Sequence, residues 1–521
     1  MTALHSSAVA CAAVARASVA CAAVARAAVA RASVARSLVL CVVAASLAAC
    51  ALPPPADTAA PVLDLPVVSQ ADVAVAPDWW TSFDDLQLSA LVEEALVHNR
   101  DLARAAARID QSRAALALAR ADRMPRIDAD FSSGRQRVSE TTAIPLVGVS
   151  SPVANDHRAS IDVSYELDLW SRLAHAQDAA RADLLASTFA RDTLRIALSV
   201  QVVKSYVALQ ALDAQIALFE RTVQAQRDSL GLQRKRLDAG DIGELDVRQL
   251  EAELIGNEAQ LPKLERARGE AERALALVLG RTPREVVDGV VARRGSPAVV
   301  PTAAQLPAAL PSDLLERRPD LQAALANLRA AGARVDAARA AYFPSISLTA
   351  GFGRESAELS RLTDGASLIW GVLASLTQPI WDGGRIDAQN DFARARWREV
   401  EIDYRDAVAN AFKEARDALA ARIETGQTLR NADLREHALA EAARLTRLRF
   451  ERGEESRIEL IRAERADLGA RSEVVDARRA VAAVQADLFR TLGGGWPGAG
   501  PVMANAAVST ATGSADGFAS R

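Results

Sequence analysis

The sequence predicts a mainly α-helical chain of long antiparallel helical hairpins, joined to a small set of amphipathic β-strands and laid out twice along its length. Three observations predict it. Two proline-free stretches carry apolar residues at spacings of three and four over about 67 residues each. The segment RASIDVSYELDLW, residues 158–170, alternates strictly between apolar and polar positions, the period of a strand with one greasy face. Similar segments also recur at matched spacing in two parts of the 521-residue chain.

The N-terminus comes first. Residues 1–50 hold no acidic residue and contain all the cysteines, Cys11, Cys21, Cys41 and Cys50, so the body can form no disulfide and no cysteine metal site. The run SLVLCVVAASLAA, 37–49, is apolar and follows Arg36. At about 13 residues it is too short to span a bilayer but suits a signal-peptide core. LAAC, 47–50, resembles the lipobox of bacterial lipoproteins, in which the cysteine is acylated and becomes the first mature residue; an ordinary signal peptide with an incidental cysteine is the alternative. Several acyl chains anchor stably where one does not, so a chain acylated at Cys50 is expected to stay on a membrane. Upstream, a five-residue repeat turns a helix by roughly 140° per copy, so its arginines share no face. Translation is expected to start later, near Val34, with the repeat outside the true reading frame start. The resulting division is 1–49 signal peptide, 50–78 lipidated arm, 79–281 first repeat, 282–311 linker, 312–493 second repeat and 494–521 tail, the last rich in Gly, Ala and Ser.

Each repeat follows one order. Asp101 and Pro125 lie 24 positions apart, as do Asp320 and Pro344; Gly240 and Gly280 lie 40 apart, as do Gly453 and Gly493. A first helix is expected over 88–123 and again over 312–341, each stopped by its proline. Alternating strands follow: RIDADFS and the 158–170 segment in the first half, SISLTAGF and SLIWGVLASLTQP in the second. Long helices over 171–238 and 386–452 come next, each a rod of roughly 100 Å at 1.5 Å per residue. Each turns at a glycine and returns through a helix of about 40 residues.

Four strands of about 9–13 residues are long enough to cross a bilayer when tilted, but they cannot close a barrel, and open edges are not tolerated in lipid. Other copies must complete the sheet: two would give eight strands and a filled interior, three would give twelve and a water-filled lumen. Periodicity alone also allows a soluble sheet with one solvated face. The lipobox, the repetition and the rods favour the barrel, with Asp128, Asp130, Asp162, Ser164, Glu166 and Asp168 lining it.

Five segments make the reading specific: WWTSFDDLQLSALVEEAL from Trp79, YELDLWSR from Tyr165, LPSDLLERRPDL from Leu310, FPSISLTAGFG from Phe343 and QPIWDGGR from Gln378. Through them the chain resembles the TolC-type outer-membrane efflux channels, in the lipoprotein branch called the NodT family, over 79–493. The resemblance implies a homotrimer with a 12-stranded barrel in the outer membrane and a periplasmic tunnel of twelve helices. It implies a passive exit duct for small molecules such as drugs, docked through a periplasmic adaptor protein to an inner-membrane pump. It also implies that Ala51, which is not aspartate, leaves the lipoprotein free to reach the outer membrane. Export and pump follow from the resemblance alone.

In that family the tunnel closes at the turns between long and returning helices. Here those turns centre on Gly240 and Gly453, and Asp246 and Glu459, six residues on, would each appear three times around the axis. Like charges in a narrow ring repel and need compensating groups. The second turn departs from the family pattern: LIRAER places Arg462 where relatives carry an acid. If Arg462 faces the lumen, it is expected to pair with Glu459 or Asp246 and to make the aperture less cation-selective; solvated helix-tip charges are the bland alternative.

Other classes are poorly served. A net charge of −4 gives no electrostatic case for nucleic acid. No nucleophile elbow, zinc motif, P-loop or dinucleotide fingerprint occurs, so no enzyme and no cofactor are expected. His98, His157, His175 and His437 show no metal-ligand spacing. Trp79 and Trp80 are expected to pack at the entry to the first helix. A periplasmic adaptor or a structural coiled-coil lipoprotein is the competing reading, but an adaptor needs one hairpin and no paired lipid-length strands.

Overall fold

The computed structural model describes residues 58, 61, 78–137, 139, 153–289, 291–293 and 318–494. Cys50, the arm up to Asp57, the linker beyond residue 293 and the tail beyond Gly494 lie outside the described residues.

The chain enters through a 3-10 turn, Trp79–Phe83, and helix α1, Leu86–His98. Asp85 caps α1 by accepting from the backbone N–H groups of Gln87 and Leu88, satisfying donors that no helical carbonyl can reach. Helix α2 follows over Arg100–Ala121. The single helix expected over 88–123 is therefore two. Asn99 breaks it: its extended backbone ends α1, and its side chain accepts from Asp101 and Leu102 to start α2. Asn99 also donates to the Val278 carbonyl at 2.7 Å, so the break is fixed by a distant partner.

Strands β1, Arg126–Arg137, and β2, Val153–Leu167, come next, then helix α3, Arg172–Asp238, of 67 residues. By composition alone α3 could cross a membrane. Its apolar middle is instead core, with Val202, Val203, Tyr206 and Leu209 all fully buried. The return path is also divided, into α4, Glu244–Glu258, and α5, Leu261–Val278. The expected continuous helix of about 40 residues stops where Pro262 opens α5, because proline fits a first helical turn but not an interior. A short α6, Pro283–Asp288, closes the first half.

In the second half α7 spans Pro319–Ala340, β3 Ser345–Ser356, β4 Leu368–Thr377, α8 Arg385–Glu451 and α9 Arg457–Thr491. Helix α8 again has 67 residues, and α9 returns unbroken through 35. Both long helices match their expected bounds within a residue.

One core gathers the start of the chain, the middle of α3, the end of α5 and the end of α9. Trp79 stacks on Phe489 with ring centroids 4.8 Å apart, and Leu88, Leu91, Tyr206, Leu275 and Leu279 close around them. The Tyr206 hydroxyl donates to the Asp85 carboxylate at 2.9 Å, tying the α1 cap to α3. The two tryptophans thus do more than seat α1, since they join the first described turn to the last helix. Toward the tips the hairpins differ. α3 and α4 meet through Val223, Leu230, Val247, Leu250 and Leu254, whereas α8 and α9 meet through Ala432, Val474 and Ala477. Alanine lets helices approach closely along a narrow seam.

The strands form one antiparallel sheet in the order β1-β2-β3-β4. Its exits into the helices are braced: Trp170 stacks on Phe343 at 4.6 Å and donates its indole N–H to the Pro344 carbonyl at 2.8 Å. Asp168 caps α3 through the N–H groups of Leu173 and Ala174, and Asp382 caps α8 through Gly384 and Ile386. Three backbone donors hold the Asp382 carboxyl below the usual carboxylate range, the Ile386 N–H most strongly, with Gly384 and Arg385 adding to it.

Because Trp79 is 2% exposed and stacked at the point where both halves meet, Trp79→Ala should lower unfolding stability by about 3–5 kcal/mol. The shift of the urea midpoint, followed by the helical circular-dichroism signal, measures it.

Candidate functional site: the two sheet faces and the hairpin tips

The cross-strand register fixes which side chains share a face. On one face Ile127 lies opposite Val163, Ala129 opposite Ile161, Ile161 opposite Phe352 and Phe352 opposite Trp370. These side chains are bare in the single chain: Ile127 is 69% exposed, Phe131 64%, Trp370 75% and Leu376 65%. So wide an apolar surface marks a face that meets something other than water.

The other face is polar. Asp128 stands opposite Asp162, relieved by the Ser160 hydroxyl donating to Asp162 at 2.7 Å and by Arg126 against Asp128 at 2.8 Å. Arg158 faces Glu355 at 3.6 Å. This face is also the crowded one. A Cβ on Gly351 would come within 2.7 Å of the Asp162 carboxylate, and one on Gly353 would collide with the Ala159 carbonyl oxygen. Glycine at these positions therefore lets β3 approach β2 closely on the polar side. β1 and β4 each pair on one side only among the described residues.

At the far end of the rods both turns are built alike. Gly240 has φ +81° and Gly453 φ +78°, backbone that L residues avoid. The Gly240 N–H donates to the Leu237 carbonyl and that of Asp241 to the Arg236 carbonyl; Gly453 to Phe450 and Glu454 to Arg449 repeat the pattern. These are paired Schellman closures, which satisfy the last helical carbonyls.

The tip charges are arranged as follows. Asp246 lies in the first turn of α4 with Glu244, where carboxylates favour the positive end of the helix dipole. The Ser456 hydroxyl accepts from the Glu459 N–H at 3.2 Å and caps α9. Arg462 forms an ion pair with Glu459, one turn back on the same helix. Of the two partners expected for Arg462, the structure places Glu459 against it. Both groups are solvated, with 69% and 46% of their side chains exposed, so the pair itself is weak.

Two arginines went unnoticed in the sequence. Arg465 bridges from α9 to Glu253 of α4, joining the hairpins near their tips. Arg457 is 7% exposed and lies over the Phe450 ring, 4.1 Å from its centroid, with one terminal nitrogen lacking a hydrogen-bond partner. Burial holds its guanidinium below the usual arginine range, opposed by Glu464 and Asp246, while Arg236 adds to the depression. The only sequence signal was an arginine at the first position of a helix, where its charge opposes the dipole.

Among the described residues no group of His, Cys, Asp and Glu could hold a metal ion. His98, His157, His175 and His437 lie on four separate elements or their ends.

The comparisons with known proteins fit this geometry. The family model described as outer membrane efflux protein matches twice, over residues 91–281 and 310–494. The outer membrane protein OprJ of Pseudomonas aeruginosa is 36% identical over 87% of this chain and 95% of its own length. The probable outer membrane lipoprotein SilC of Salmonella typhimurium is 33% identical over 80% of this chain and 88% of its own length. The cation efflux system protein CusC of Escherichia coli is 31% identical over 87% of this chain and 97% of its own. The crystal structure of CusC superposes with a TM-score of 0.76 at 29% identity, covering 84% of this chain and 99% of that one.

Gly353→Val is expected to disrupt β2–β3 pairing, because its side chain must displace strand backbone. On unheated SDS gels the compact, heat-modifiable species should be lost, while Gly365→Val, in open space, should retain it.

Proposed function

This chain belongs to the outer membrane efflux protein family, and from that membership we infer that it is the outer-membrane exit channel of an efflux pump. The observation that carries the reading is the sheet: one apolar face, one polar face, two edges unpaired among the described residues, and each of its four strands joined directly to a helix. A soluble adaptor or a structural coiled coil has no use for such a sheet.

We propose that three copies assemble. Joining β4 of one copy to β1 of the next three times gives twelve strands and a lumen wide enough for water, lined by Asp128, Asp162 and Glu166. The rods α3 and α8, with their returning partners, would supply a tunnel of twelve helices. Exposed apolar side chains along α8, among them Phe392, Ile402, Ile423 and Leu434, support burial against neighbouring copies. Two halves with 67-residue helices and 22-residue partners in α2 and α7 support an internal duplication. The name of SilC supports acylation at Cys50, with 1–49 removed as a signal peptide. An inner-membrane pump and a periplasmic adaptor would feed the duct, and small molecules would pass through it passively.

The aperture would lie at the hairpin tips, where three copies of Asp246, Glu459 and Arg462 ring the axis. Arg462 offsets Glu459 and so lowers the ring's preference for cations. Arg462→Asp should therefore raise cation selectivity and alter single-channel conductance; no change in either discards that role. The channel reading is tested by reconstituting the purified full chain in planar bilayers. Sodium dodecyl sulfate-resistant trimers that conduct ions are expected, and a preparation that stays single-chain and silent would falsify it.

A further inference from the structure

Charge is sorted between the faces of the sheet in a way the channel reading does not require. Every acid of the four strands, Asp128, Asp130, Asp156, Asp162, Glu166 and Glu355, lies on the polar inner face, where Arg126 and Arg158 accompany them. The outer face carries no acid among the described strands. Going from the helical end toward the hairpin turns, its apolar side chains give way to Arg135 and Arg137 on β1, His157 on β2 and Arg354 on β3. Arg135 lies opposite Asn155 and Arg137 opposite Val153, two and three outward-facing steps beyond Phe131. His157 is hydrogen-bonded through Nδ1 to the Ser133 hydroxyl at 2.8 Å. Arg354 donates to the carbonyls of Thr363 and Asp364, the latter at 2.9 Å, and stands as a fixed cation beside Phe352.

A surface that was merely hydrated would mix signs, as the inner face and the rods do. The β3–β4 turn at that end adds Glu358, paired with Arg361, and Asp364, but the outward-facing strand residues carry one sign, and such a rim directly above an apolar band matches a layer of anions directly above a layer of lipid chains. We propose that this rim binds the phosphate groups of the outer-leaflet glycolipid, a bis-phosphorylated lipid A, with Arg135 and Arg137 forking onto phosphate oxygens. The proposal rests on the outer-membrane reading above, which puts the helices in the periplasm and the hairpin turns at the glycolipid leaflet. Arg354 adds a fixed charge next to the chains, and His157 a donor between the two arginine sites.

The test titrates the purified full chain in detergent with bis-phosphorylated lipid A, its dephosphorylated form and phosphatidylglycerol, read by native mass spectrometry. The wild type should prefer the bis-phosphorylated lipid over both others by about tenfold or more. Arg135→Gln with Arg137→Gln should abolish that preference. Arg126→Gln with Arg158→Gln, an equal loss of two charges on the opposite face, should keep it. Equal binding of phosphorylated and dephosphorylated lipid, an equal affinity for phosphatidylglycerol, or the same loss in the Arg126→Gln, Arg158→Gln pair would each overturn the proposal. Conductance of the same preparations keeps the two readings apart. Protein that conducts without a phosphate preference removes only the rim, whereas protein that does not conduct removes the channel.

Discussion

In a bilayer no water is available to pair a strand's backbone, so each lipid-exposed N–H and C=O must find its partner within the protein, at a cost of several kcal/mol for each one left unmet. β1 and β4 carry such unpaired ladders along 12 and 10 residues. In the proposed trimer, neighbouring copies would meet that deficit. The polar face carries glycine at 351 and 353 because side chains there would block β3 from approaching β2.

The helical body answers a different demand. A rod of roughly 100 Å has little interior of its own, so its stability comes from the few places where helices are stapled together. The Trp79–Phe489 stack, the Asp85–Tyr206 bond and the Asn99–Val278 bond all sit where the first segment crosses the middle of α3 and the ends of α5 and α9. Beyond them the hairpins thin to narrow seams, one of leucine and valine, the other of alanine. A thin, polar, lightly packed tip is the part of such a structure that can move without disturbing the rest. There the Arg465–Glu253 ion pair joins the two hairpins, with the Arg462–Glu459 pair and the buried Arg457 on the same helix as Arg465.

The strands and the long helices were legible because their signals are local and repetitive. Ile161, Val163 and Tyr165 announce a strand by alternation. Helix α8 runs for 67 residues with no proline to stop it, and Gly240 and Gly453 mark the turns by their chemistry. The breaks at Asn99 and before Pro262 were missed for opposite reasons. Asn99 looks like an ordinary polar helix residue until the Val278 carbonyl, 179 positions away, claims its side chain. Pro262 was visible, but the return path was read as one continuous helix running through it, whereas it sits in the first turn of a new one. Arg457 gave no sign of burial, because what buries it is Phe450 and the neighbouring hairpin.

The sequence by itself determined the periods, the lengths and the order of the elements, since these depend on backbone geometry and on which side chains neighbour each other along the chain. Only the tertiary structure decided register, and register decides face. It is the pairing of Asp128 with Asp162 and of Phe352 with Trp370 that separates a charged inner surface from an apolar outer one. A slip of a single residue would have exchanged them, and nothing local in the chain forbids that slip; the helices joined to all four strands at one end of the sheet do.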